Sequence, residues 1–174
     1  MLTGFVLLSP SFGRTCGGRI RRRLAWTASL RVRLVSVGRR TAKEAWAETP
    51  VEEYQKRLGP NLDLECEYVK DDAALVKAMK SATETHWKIA MDAEGRSYDS
   101  QGFSDLLMKR LETSGGRVHI FIGGAEGLSA AAKSSVNELV SLSKMTFTHK
   151  IARLVLVEQI YRAIEIHKGT KYNK

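Results

Sequence analysis

An apolar run, Val118 to Ile122, ends in three closely spaced glycines, Gly123, Gly124 and Gly127, and a helix-like segment opens at Ser129. The pattern reads as strand, tight loop, helix. Adjacent glycines at the carboxyl end of a strand let the backbone turn sharply and approach a ligand with no Cβ in the way, and open α/β sheets bind ligands at that end. A nucleotide-like molecule is one candidate occupant. The other reading is conformational only, because a strand-to-helix turn can need glycine simply to reach a positive φ. A dinucleotide site is disfavoured. Its fingerprint is G-x-G-x-x-G with an acid about 20 residues on, whereas this loop is G-G-x-x-G and no such acid closes a second strand.

The loop must be held by the rest of a 174-residue chain, which is long enough for one domain with a substantial core. Residues 1–43 contain no Asp or Glu, and the first 30 carry Arg14, Arg19, Arg21, Arg22 and Arg23 among scattered Ser and Thr. That composition is expected of an organellar transit peptide, directed to a plastid or a mitochondrion; a retained basic arm that binds RNA is the alternative. Phe5 to Leu8 is apolar, but it precedes the charge and is far shorter than the ~20 residues needed to span a bilayer. No later stretch does better, so a protein outside the membrane is expected, with residues 1–30 as the presequence and 31–174 as the folded domain. Setting the five arginines aside leaves 23 of the 28 basic residues against 19 acidic ones. Nucleic acid is thus a plausible partner but not one that charge demands. With only Cys16 and Cys66, neither a disulfide framework nor a zinc cluster is available, and Cys66 reads as a small core residue.

Periodicity supplies the elements. Arg31 to Val37 alternates basic and apolar residues and reads as a first strand. Thr41 is placed to cap a helix reaching about Leu58, with Trp46 and Tyr54 turned inward and Pro50 kinking or dividing it. Leu62 to Val69 alternates with period two, a half-exposed strand near the sheet edge. A helix from Asp72 to about Ala82 follows, then a strand from His86 that ends in Asp92, with Glu94, Gly95 and Arg96 as its turn. Ser100 is expected to cap a helix whose Phe103, Leu106, Leu107 and Leu111 share one side, closed by Gly115 and Gly116. The strand before the glycine loop is the central one, and the helix from Ser129 runs to about Leu139. Residues 141–148 form a short strand or loop, a last helix spans about Lys150 to Ile166, and residues 168–174 read locally as a frayed tail. Strands alternating with helices imply an α/β fold, a mostly parallel sheet of about five strands flanked by helices.

Three motifs taken together narrow the reading: the glycine loop, the run Ser141 to His149 (SLSKMTFTH), and the run Leu156 to Ala163 (LVEQIYRA). In their order and spacing the sequence resembles the bacterial-type large-subunit ribosomal RNA pseudouridine N3-methyltransferases, the smallest members of the SPOUT superfamily. The resemblance extends from about Arg31 to the C-terminus. It implies a C-terminal trefoil knot, which general topology rules would not have suggested. It also implies S-adenosyl-L-methionine bound against Met91, against Gly123 and Gly124, and along Leu142, Ser143, Lys144, Met145, Thr146 and Phe147. An apolar slot with loop backbone donors and acceptors suits adenine, although Met91, Met145 and Phe147 read equally as core residues.

The implied reaction is a displacement at the sulfonium methyl, so the nucleophile, methyl carbon and sulfur must be held near a line and positioning supplies much of the rate. No metal is needed. The N3 proton must leave to a nearby base or to water. His149, Arg153 and Tyr172 are the candidates for this chemistry, and His149, Arg153, Arg162, Tyr172 and Lys174 are the candidates for RNA contact. Arg153 and Arg162 are nine positions apart and so face opposite sides of one helix at about 100° per residue. A homodimer could use one arginine in its own pocket and the other in the partner's, as the family resemblance also implies; Glu158, four residues before Arg162, offers it a plain helical ion pair instead. Two departures from the family pattern stand out. Thr148 replaces the usual proline before His149, and Asn173 replaces the usual histidine of the tail, which removes an acid or base there.

The expected function is therefore methylation of a pseudouridine of large-subunit ribosomal RNA on the assembled organellar ribosome. A ribosome-assembly factor that keeps the cofactor pocket with weakened catalysis is the alternative, and an unrelated nucleotide-binding enzyme the third.

Overall fold

The computed structural model describes residues 30–40 and 45–172. The segment read as a transit peptide, Thr41 with its expected cap, and Asn173 and Lys174 all lie outside the described residues.

Five strands form one sheet: β1 (Arg31–Val37), β2 (Asp63–Val69), β3 (Trp87–Ser97), β4 (Arg117–Ile122) and β5 (Glu138–Ser141). All pairings are parallel and the order is β2-β1-β4-β3-β5, with β4 central and β2 at an edge as expected. The helices are α1 (Ala45–Leu58), α2 (Asp72–Ser81), α3 (Ser100–Thr113), α4 (Ala130–Lys133) and α5 (His149–Lys168). None among the described residues is long and apolar enough to cross a membrane.

Side chains alternate across a strand, and the two faces are covered unequally. Leu34, Ile120 and Ile89, aligned across β1, β4 and β3, enter the larger core with Leu107 of α3 and Leu156 and Ile160 of α5. Each is fully buried, worth about 1.5–3 kcal/mol apiece. Val35, Phe121 and Ala90 point the other way, into a smaller core with Leu75 and Met79 of α2 and Ala132 of α4. Cys66 is a half-buried free thiol at the margin of the larger core, and burial pushes its pKa up.

Several local expectations yield to tertiary contacts. α1 runs unbroken through Pro50. The amide that proline lacks would have met the carbonyl of Trp46, a residue 57% exposed, where water can replace it. Trp46 is therefore not an inward anchor; Val51 and Leu58 are, with Tyr54 at the core margin. Asp99, not Ser100, caps α3, its carboxylate accepting from Gly102 N at 2.7 Å. Ser100 is left to donate to Gln159 of α5 at 3.0 Å.

The helix expected to reach Leu139 stops at Lys133. Asn137 is drawn to β3 instead, its N donating to Lys88 O at 2.9 Å and its Oδ1 accepting from Lys88 N at 2.8 Å. Leu139 then aligns with Ala90 as part of β5. Nor does β3 end at Asp92: it bulges and resumes, so that Met91 and Arg96 both align with Val140. The supposed turn at Gly95 is a contact between two backbones, where an added Cβ would lie 2.7 Å from the carbonyl carbons of Leu139 and Val140. Glu138 fastens the same strand from the side, accepting from Arg110 Nε at 3.1 Å, Tyr98 OH at 3.2 Å and Trp87 Nε1 at 3.3 Å. Arg110 also stacks over Trp87 at 4.2 Å.

The C-terminal end of α5 closes on Gly169, φ 72°, with Thr170 N donating to Glu165 O at 3.0 Å. The tail is not frayed as far as Tyr172, whose ring meets Tyr161 edge-on at 4.9 Å.

Two measurements check this account. Gly95→Ala should cost about 1–3 kcal/mol of unfolding free energy in a denaturant titration, since neither backbone can yield freely. His119 of β4 is 8% exposed, and burial, then His86, Arg33, Lys88 and Arg117, push its pKa down to about 4. An unfolded histidine titrates near 6.5, so the unfolded chain takes up a proton that the folded one refuses. Stability is full above that pH and is lost as the pH falls toward 4, by ~2–3 kcal/mol at pH 4.5; His119→Gln should remove that share of the acid sensitivity.

Candidate functional site

The carboxyl ends of β1, β4, β3 and β5 come together, and each carries part of the expected constellation. After β4 the chain folds back on itself, with Gly127 N donating to Gly124 O at 3.1 Å. The positive φ belongs to Gly127, at 79°, and not to the adjacent pair. Gly123 and Gly124 are required for closeness instead. A Cβ on Gly123 would meet Gly127 O at 2.7 Å, and one on Gly124 would meet Val37 Cγ1 of β1 at 3.2 Å. Next to them Met91, 9% exposed, aligns with Ile122 and Val140 and packs into the larger core.

Asp92 follows directly. Burial alone would raise its pKa, but the Lys133 ammonium at 2.9 Å and the Glu94 amide at 2.9 Å outweigh that and hold the carboxyl below its ordinary value. The same lysine reaches Glu94 at 3.2 Å, so short α4 is pinned to the bulge of β3.

The β5–α5 loop leaves the same end of the sheet, beyond β3. Ser141 Oγ donates to Ser143 O at 2.9 Å, and Ser143 Oγ accepts from Met145 N at 3.0 Å, so the loop turns sharply. Leu142 packs against the core, whereas Lys144, Met145, Thr146 and Phe147 are exposed, Met145 to 73%. Among the described residues no group of three or more His, Cys, Asp or Glu is arranged to hold a metal.

α5 carries the remaining candidates, and the structure separates them. His149 starts the helix with its Nε2 3.2 Å from the Cβ position of Gly38, φ 140°, at the end of β1. Thr148 caps α5 by backbone geometry alone, without a side-chain hydrogen bond. One turn on, Arg153 is 4% exposed. Its guanidinium lies 3.9 Å over the Tyr68 ring and 3.8 Å from Glu48, while its Nε and Nη1 have no hydrogen-bond partner. Tyr68 OH donates to Glu48; burial and that carboxylate push the phenol up to about 12.

Arg162 lies on the other side, in the expected ion pair with Glu158 at 2.7 Å and 4.9 Å from the Tyr172 ring. Tyr172 OH lies 3.3 Å from Glu158, and burial, then the hydrogen bond to Tyr54, push it up to about 12, which makes it a hydrogen-bond donor and not a base near neutral pH. His149 and Arg162 are 13 positions apart on one helix, about 20 Å. At this end of the sheet Met91 aligns with Ile122 just before the glycine loop, His149 stands beside Gly38 after β1, and residues 142–147 follow β5, whereas Arg162 lies about 20 Å along α5 from His149 with Tyr172 against it. Lys174 lies outside the described residues.

Sequence reasoning missed Gly95, Lys133 and the Glu48–Tyr68–Arg153 cluster. No local signal marks them, since each acts through a partner at least 15 residues away. Only the expectation that the strand from His86 ends in an acid singled out Asp92, although β3 runs on to Ser97.

The chain matches the family described as Predicted SPOUT methyltransferase over residues 30–173. It is 44% identical over 145 residues to a ribosomal RNA large subunit methyltransferase H of Protochlamydia amoebophila, covering 83% of this chain and 99% of that one. A protein of the same name from Prochlorococcus marinus is 36% identical over 148 residues, 83% and 96% of the two chains. Among solved structures, a probable methyltransferase from Bordetella pertussis superposes with TM-score 0.52 at 14% identity, over 78% of this chain and 96% of that one. A ribosomal RNA small subunit methyltransferase E from Neisseria gonorrhoeae, bound to S-adenosyl methionine, gives 0.50 at 11%, over 75% and 65%. At such identities these two speak for the fold alone.

The two arginines of α5 should answer very differently to truncation. Arg153→Ala leaves Glu48 buried without its cation and should cost about 3 kcal/mol or more, whereas Arg162→Ala breaks a helical surface pair worth about 0.3–0.5 kcal/mol; urea titrations of the two variants measure the contrast.

Proposed function

Because the chain belongs to the SPOUT methyltransferase family, beside the large-subunit ribosomal RNA methyltransferases H, we propose that it moves the methyl group of S-adenosyl-L-methionine to N3 of a pseudouridine in large-subunit ribosomal RNA. The observation that carries this reading is the match to a relative along 99% of that relative's length at 44% identity. The substrate is the ribosome or a late precursor, inside the organelle that the arginine-rich, acid-free first 30 residues address.

The residues suit the cofactor. Met145 and Phe147 are apolar and exposed on the loop after β5, available to close on an adenine, while Leu142 and Met91 belong to the core below that end of the sheet. Without a Cβ at Gly123 or Gly124 the turn stays tight against β1. Bound there, the cofactor would supply a methyl already activated by its sulfonium, so the chain's task is positioning and proton removal. His149, braced against Gly38, is the candidate to orient the target base or take its proton. Arg153, beneath Tyr68, serves to hold the start of α5 and hence the loop before it. The C-terminal trefoil knot belongs to the same reading, with the backbone contact of Gly95 and β5 as the point where the threaded chain would be pinned.

Arg162 and Tyr172, about 20 Å along α5 from His149, cannot reach the same base from the same subunit. A homodimer resolves this: Arg162, Tyr172 and Lys174 of one subunit complete the RNA side of the other's cofactor pocket. The second reading, an assembly factor with weakened turnover, is favoured by Thr148, which starts α5 without a side-chain cap bond.

Transfer of a tritiated methyl group to organellar large subunits lacking the modification separates the two, since the assembly factor gives no product. Gly123→Val should weaken cofactor binding in calorimetry at least tenfold, about 1.4 kcal/mol. Mixed with Arg162→Ala, it should regain transfer that neither variant shows alone, because one of the two shared sites in the mixed dimer is then intact; no recovery would refute the shared site.

A further inference from the structure

The sheet face that carries the smaller core is covered over only part of its height. α2 and the four-residue α4 pack on Val35, Phe121 and Ala90. Two residues earlier on each strand the same face presents Arg33, His119 and Lys88 in register, and then Arg31 beside Arg117. A cavity of about 300 Å³ opens there, lined by Arg31, Arg33, Arg117, His86 and His119 together with Glu65 and Glu67. It lies at the amino ends of the strands, roughly 20 Å from the glycine loop, the length of a six-residue strand.

The charges at this cavity are not balanced. Arg31 is taken by Asp63 at 3.0 Å and Glu65 at 3.2 Å, and Arg33 by Glu67 at 2.5 Å. Arg117 and Lys88 have no carboxylate partner among the described residues. His86 and His119 stack with centroids 5.0 Å apart and share a hydrogen bond of 3.0 Å between Nδ1 and Nε2. Burial lowers both pKa values, and every charged neighbour acting on them lowers them further: Arg117 and Lys88 on His86, and His86, Arg33, Lys88 and Arg117 on His119. With Asp63, Glu65 and Glu67 engaged by Arg31 and Arg33, Arg117 and Lys88 are left as the cations without a carboxylate partner near the histidine pair. His119 is more than nine-tenths buried, and its Nδ1 has no partner. In the tautomer where His86 donates to His119, that nitrogen carries a proton with nothing to receive it.

We propose that this cavity is a phosphate-binding site, filled by a phosphodiester of ribosomal RNA, through which the chain grips its substrate at the end of the sheet opposite the methyl-transfer site. Arg117, on the cavity wall, can clasp two phosphate oxygens, the His86–His119 pair lines the same cavity, and Lys88, close enough to act on both imidazoles, adds positive charge from beside it. Such contacts set register and affinity without reading sequence. The proposal rests on ribosomal RNA being the substrate, and RNA is favoured over a free anion because the open sheet face around the cavity leaves room for a chain to pass.

The test measures binding of the full chain to large ribosomal subunits lacking the modification, as a function of salt. Replacing both Arg117 and Lys88 by Ala should lower affinity at least about tenfold and reduce the slope of log K against log salt by about 1–2. Cofactor affinity in calorimetry should not change. Arg117→Lys should keep most of the affinity and Arg117→Glu lose more than Ala does; a loss that does not follow the charge overturns the proposal. Inorganic phosphate should raise the NMR-measured pKa of His119 in the chain alone. If phosphate does so while ribosome affinity ignores the substitutions, the site takes a free anion and the proposal fails. Binding is read without methyl transfer, so an inactive protein that keeps this charge dependence refutes the proposed reaction and not the site, whereas active transfer with charge-independent binding does the reverse.

Discussion

The passage of β3 against β5 at Gly95 is the constraint on which the carboxyl end of the sheet depends. The chain leaves register after Met91 and regains it at Arg96, with Val140 facing both. At that crossing the backbones touch, so no side chain can separate them. Glu138, gathering hydrogen bonds from Trp87, Tyr98 and Arg110, keeps β5 from sliding along the contact. Because β5 is only four residues long, its ladder alone would hold it weakly. The loop 142–148 starts where this strand ends, so its distance from the glycine turn is fixed by packing and not by its own sequence.

α5 extends that order across the molecule. Its first turn is bound to β1, β2 and α1 through His149 against Gly38 and Arg153 between Glu48 and Tyr68. Its middle turns carry Glu158, Tyr161 and Arg162, which meet Tyr172 of the tail in a surface cluster. Two arginines of one helix thus have opposite tasks. One charge is buried, incompletely satisfied and expensive to strand; the other is a half-exposed member of a polar group. A straight helix cannot bring His149 and Arg162, about 20 Å apart along it, onto one ligand.

The two ends of the sheet also differ electrostatically. At the carboxyl end Asp92 and Glu94 are paired with Lys133, beside the buried Met91 and the glycine turn. At the amino end Arg117 and Lys88, without carboxylate partners among the described residues, stand beside the His86–His119 pair and lower both pKa values.

Much of this was legible in the residues themselves. The period-two runs gave the strands, the Phe103-Leu106-Leu107-Leu111 spacing gave the buried face of α3, and Ser129 announced its helix, because each signal is carried by neighbours within one or two turns. The three motifs also pointed to the family before any coordinate was known. What tertiary structure alone decided were features that need a distant partner: α4 cut short by Asn137 pairing with Lys88, β3 carried past Asp92 by Val140, and Gly95 required by a backbone 44 residues on. In the same way Trp46 turned outward while Val51 and Leu58 filled the core, and Tyr172 was held in place by Tyr161. Local sequence sets which conformations a segment favours, but only the register between segments far apart determines which atoms meet.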